Sequence, residues 1–79
     1  MSISQMLCEV RDKDYGRKLH AMARAWDVYD STLSRWCAKT RVPDPTWYDF
    51  LAGKLGLSIA EVHEACQIER RERELATTV

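Results

Sequence analysis

The apolar residues between Leu19 and Trp36 constrain this chain more than any other feature. They stand at Leu19, Met22, Ala23 and Trp26, then at Val28, Leu33 and Trp36. The first four share one face of a helix with 3.6 residues per turn, and Leu33 and Trp36 resume that spacing after a break. The break carries Asp27, Tyr29, Asp30 and Ser31, side chains suited to turns and helix caps. Two helices joined by so few residues must cross at a steep angle. Ala23 is small enough to let the second approach the first closely.

The flanking segments read as further helices. Ser2 or Ser4 can cap a first helix reaching about Arg11 or Asp12, with Ile3, Met6, Leu7 and Val10 on its apolar face. "DKDYG" reads as a break, and Asp14 or Gly16 opens the next helix. The third helix is expected over Asp30–Lys39, ended by "TRVPDP", because Pro43 and Pro45 cannot continue a helix interior. Asp44 caps a fourth helix with Pro45 in its first turn. That helix holds Trp47, Phe50, Leu51 and Leu55, and Gly56 stops it. Ser58 followed by Glu61 is a capping-box signature for a fifth helix with apolar Ile59, Val62, Ala65 and Cys66. Beyond Ile68, "ERRERELATTV" is expected to run on as a solvated helical end and fray. With no repeat and no convincing strand, the expected fold is all-α: a compact bundle of about five short helices. Residues 1–68 form the domain and 69–79 a charged C-terminal extension.

Composition narrows the function. The 79 residues suffice for one small domain, and 46% hydrophobic with 30% charged residues describes a globular chain. Formal net charge is zero, yet Arg11 to Arg41 holds eight basic and four acidic residues, net +4, leaving the remainder net −4. A basic half facing a polyanion accounts for that asymmetry. Three cysteines without a CxxC pair, no leader-like pattern and no membrane-length apolar run point to the cytoplasm and reduced thiols. His63 and Cys66 share a helix face but lack the paired spacing of zinc ligands, so no metal is expected. With no Gly-rich phosphate loop and no recognisable catalytic arrangement, neither a cofactor nor enzymatic activity is expected.

"LHAMARAWDVYDSTLSRW" resembles the helix-turn-helix of the lambda-repressor-like fold, the Xre/Cro family of phage and bacterial transcriptional regulators. "CAKTRVPDPTWYDFLAGKLGLSIAEVHEA" is similar to the family's following segment. The resemblance covers roughly residues 15 to 66 and is carried by Ala23, Val28, "STLSRW", Pro43 and "LAGKLGLSIAEV". The chain departs from the family pattern at four positions. Asp27 stands where a turn Gly is usual, and Leu19 stands where Gln is frequent. Cys37 replaces a frequent Glu, and Lys39 replaces the Gly that follows.

The resemblance implies a regulator that binds double-stranded DNA, with the helix Asp30–Lys39 in the major groove. Its candidate base contacts are Tyr29, Ser31, Thr32 and Arg35, and Arg35 can bond a guanine edge in bidentate fashion or clamp a phosphate. Candidate phosphate contacts are Arg17, Lys18, Ser34, Lys39 and Arg41. Asp30 is an acid that repels phosphates at this end, unless it caps the helix or accepts from a cytosine amino group. Trp26, Trp36 and Trp47 are read as core residues and His20 as a surface residue. One such domain makes few contacts, so a homodimer on a palindromic operator is expected. Ile59, Val62, Cys66 and Leu75 are its candidate interface. No membrane and no small-molecule ligand are expected as partners. The alternative reading is a protein–protein interaction module, an antitoxin or host-factor binder, that keeps the fold without reading DNA.

Overall fold

The computed structural model describes residues 1–77, and all regular structure among them is helical. Five α-helices, α1 Ile3–Asp14, α2 Leu19–Trp26, α3 Asp30–Cys37, α4 Tyr48–Leu55 and α5 Ile59–Thr77, are joined by short links, with a 3-10 turn over Pro45–Trp47. Thr78 and Val79, part of the expected tail, lie outside the described residues.

Local chemistry explains several helix starts. Ser2, not Ser4, caps α1 in a full capping box: its hydroxyl accepts from the Gln5 N–H, and its own N–H donates to Gln5 Oε1 at 2.9 Å. The box expected at Ser58 and Glu61 also forms, in both directions. Asp44, expected to cap the fourth helix, caps the 3-10 turn that precedes α4: it accepts from the Thr46 N–H, Pro45 opens the turn, and Trp47 lies in the turn rather than in α4. Three starts lack this chemistry, among them that of α4, whose N-cap Trp47 makes no side-chain cap bond. Lys18 and Tyr29 are the N-caps of α2 and α3, and neither makes a side-chain cap bond. Asp14 and Gly16 therefore do not open α2. Helix α1 runs past Asp12 to Asp14, and the break falls at Tyr15–Lys18.

Three helix ends share one closure. The N–H of Val28 donates to the Ala23 carbonyl, that of Thr40 to the Arg35 carbonyl and that of Leu57 to the Ala52 carbonyl, at 2.9–3.0 Å. The residue before each donor, Asp27, Lys39 or Gly56, has a left-handed backbone, with φ of 56°, 63° and 69°. This is the Schellman closure. It ends α3 at Cys37, so Lys39 is outside the helix expected to contain it, and the stop precedes the prolines.

The core draws on all five helices. Ile3 and Leu7 of α1, Met22, Ala23 and Trp26 of α2, and Leu33 and Trp36 of α3 meet Leu51 of α4 and Val62, Ala65 and Cys66 of α5. Trp36, Trp47, Phe50 and Trp26 form a chain of edge-to-face rings, with centroids 4.9, 5.6 and 6.2 Å apart in that order. This chain ties α3 through the 3-10 turn and α4 to α2. Helix α1 packs against α3 and α5.

The charged run after Ile68 departs from the expected solvated end at its first residue. Glu69 is fully buried, and its Oε1 accepts the Ser4 N–H at 3.0 Å. Helix α5 continues unbroken across the boundary expected at 68/69. Ile59, assigned to the apolar face of α5, is 51% exposed.

Candidate nucleic-acid interface

Helix α3 is held on three sides, by α1, by α2 and by the aromatic chain. Its buried residues Leu33 and Trp36, with half-buried Cys37, turn one face inward. The opposite face carries Ser31, Ser34 and Arg35, and the C-cap residue Ala38 continues it just past the helix end, all exposed. Their spacing of three, one and three residues makes them one continuous stripe. Ser34, a candidate phosphate contact, lies within the outward stripe. Ala38 belongs to the same stripe and went unread, because alanine carries no polar signal. Thr32 is half-buried at the side of the helix.

Two surface hollows flank the stripe. One, of about 220 Å³, is lined by Thr32, Arg35, Trp36, Arg41, Val42, Asp44 and Trp47. The chain folds back over the end of α3 to build it: the N–H groups of Thr40 and Arg41 and the Thr40 hydroxyl all donate to the Arg35 carbonyl. Arg35 and Arg41, six residues apart in sequence, thus share one concavity, with Asp44 also in its lining. The other hollow is lined by Asp27, Val28, Tyr29 and Trp47. Tyr29 stands at its rim, 82% exposed at the start of α3.

The remaining candidates separate. Arg17 and Lys18 are exposed in the link that leads into α2. Lys39 is paired: its Nζ lies 3.4 Å from Glu72 Oε2 on α5. Asp30 does not cap its helix. Its carboxylate meets the His20 imidazole, 2.5 Å from Nδ1, across the α2–α3 turn. Residue spacing had not suggested this partner, because His20 and Asp30 belong to different helices.

The thiols and the expected dimer face lie elsewhere. The Cys8 thiol donates to the Cys37 carbonyl at 3.7 Å. Burial, with Cys8 beside it, pushes the Cys37 thiol up to about 12. Cys66 is fully buried, and its burial also pushes its thiol up. His63 packs edge-on against the Tyr48 ring. Among the described residues, no group of three or more His, Cys, Asp or Glu side chains converges to hold a metal ion. None of their helices is long and apolar enough to cross a membrane.

Val62 and Cys66 have no exposed surface and serve the chain's own core, so neither can line an interface between copies. Ile59 and Leu75 are exposed, but sixteen residues of helix place them about 24 Å apart along α5 and about 160° apart around it. These four residues do not make one patch.

Comparison with family models, with curated proteins and with solved structures yields no match to this chain.

Proposed function

We propose that this chain is a sequence-specific double-stranded DNA-binding regulator with a lambda-repressor-like helix-turn-helix, of the Xre/Cro type. In this reading α2 and α3 are the motif, and α3 enters the major groove. The observation that carries it is the outward stripe Ser31, Ser34, Arg35 and Ala38 on a helix fixed from behind by core contacts. Hydroxyls, a guanidinium and a small apolar group are the side chains that meet base edges and a thymine methyl. Arg41 beside Arg35, and Arg17 and Lys18 before α2, supply cations for phosphates on either side. Arg35 then serves the groove from its end, sharing an anion with Arg41. Two copies on a palindromic operator would supply the affinity that one short reading helix lacks, and occupancy would exclude RNA polymerase.

The test is a mobility-shift titration against the chain's own upstream DNA, with a scrambled duplex alongside. The upstream DNA should shift first. Arg35→Ala should weaken that complex by about 1–3 kcal/mol while leaving the helical circular dichroism unchanged. A wild-type chain that shifts neither duplex at low salt overturns the reading.

A second reading, the protein-interaction module, has one observation in its favour. A groove of about 300 Å³ runs between α1 and the α4–α5 link, lined by Met6, Val10, Leu55 and Leu57 and rimmed by Glu9, Lys13 and Asp14. Failure to bind DNA would turn attention there.

A further inference from the structure

Asp30 stands in the first turn of α3 and His20 in the first turn of α2. Their side chains meet across the turn, with Nδ1 and Oδ2 2.5 Å apart, although both residues are exposed. Packing therefore does not fix either side chain, and the contact joins the two. A carboxylate offers only acceptors, so the imidazole Nδ1–H donates. One carboxylate oxygen is thereby engaged, and Oδ1 is left to accept from a ligand.

The position of this pair matters because Asp30 lies one helical turn before Ser34, at the edge of the outward stripe. An acid there repels phosphates and most base edges. Guanine presents O6 and N7, thymine presents O4, and adenine sets its amino group beside the acceptor N7. Cytosine presents its 4-amino group with no acceptor next to it on the same base. The acid thus selects for one edge and against the rest.

Resting on the DNA-binding reading above, we propose that His20 and Asp30 form one reading unit. The imidazole fixes the carboxylate, and Asp30 Oδ1 accepts from the 4-amino group of a cytosine in the major groove. Asp30 is the specificity-determining residue and His20 its positioning residue.

Selection from a randomised duplex pool, sequenced position by position, tests this for the wild-type chain, Asp30→Ala, His20→Ala and His20→Asn. The wild type should enrich cytosine at one position of each half-site by about fivefold or more. Asp30→Ala should flatten that position alone. His20→Ala should weaken the same preference. His20→Asn should restore it, because the asparagine amide nitrogen falls close to where Nδ1 stood. A cytosine analogue lacking the 4-amino group at that position should cost the wild type its preference and leave Asp30→Ala indifferent. Both residues are exposed, so the variants should fold, and circular dichroism checks this. An unchanged base profile in Asp30→Ala overturns the unit while the DNA-binding reading stands. A His20→Ala profile equal to wild type also overturns it, by removing the positioning role. A wild type that selects no sequence removes the DNA-binding reading and the unit with it.

Discussion

Glu69 joins the two ends of the domain. Its carboxyl group is fully buried where α5 passes the start of α1, and Oε1 takes the Ser4 N–H, one of the donors a helix start leaves unpaired. Glu69→Ala should cost about 2–3 kcal/mol in urea unfolding, since it orphans that donor and opens a cavity. Glu69→Gln should cost less, because its amide oxygen accepts the same bond. Equal losses would show that charge, not the hydrogen bond, holds α1. Cys37 supplies a pH-dependent counterpart. Its thiol is held near 12 against an ordinary 9.0. Below about pH 9 the thiol is neutral in both folded and unfolded chains and contributes no pH dependence. Between about 9 and 12 only the unfolded chain ionises, so stability falls as pH rises through that window. Cys37→Ser should lose less melting temperature than the wild type between pH 9 and 11. Parallel curves would show that the thiol is not protected by folding.

The helix ends explain how a chain with three glycines builds five helices. Left-handed backbone is needed at Asp27, Lys39 and Gly56, yet glycine occupies only the last. At the first two a residue with a Cβ takes the conformation that glycine adopts without strain. Asp tolerates that conformation better than Lys, yet both carry a Cβ that crowds it. Asp27→Gly should raise stability by about 0.5 kcal/mol and, if the proposed function holds, tighten DNA binding by removing an acid from the turn. Weaker DNA binding with unchanged stability would mean that Asp27 contributes a contact of its own. Helix order, the caps at Asp44 and Ser58 and the stop at Gly56 were legible in the sequence, because each rests on residues within one turn. The start of α2 was not. Neither Asp14 nor Gly16 opens it, and the apolar face from Leu19 onward, docked on α3, takes the place of a cap.

At the scale of the whole molecule, charge is arranged rather than abundant. Arg17, Lys18, Arg35 and Arg41 supply four cations per copy, while Lys39 is drawn to Glu72 on α5. If all four neutralise phosphates, the logarithm of the binding constant should fall against that of salt concentration with a slope of about −3.6 per copy. Glu72→Gln should release Lys39 and steepen the slope by about 1. A slope near zero would show that these cations meet no phosphate. The amino-acid sequence by itself determined the order of the helices and which way α3 faces. Apolar spacing, caps and stops act between neighbours a few residues apart, and burial of Leu33 and Trp36 leaves Ser31 and Arg35 outward whatever else the chain does. Only the tertiary structure decided what remained on the surface and what paired there. It sent Val62 and Cys66 into the core and away from any interface, and it buried Glu69 in a run that reads as solvated. It also joined residues 10, 33 and 65 positions apart, in the pairs His20–Asp30, Lys39–Glu72 and Ser4–Glu69. Such pairs depend on how separate helices pack, and no local periodicity encodes that distance.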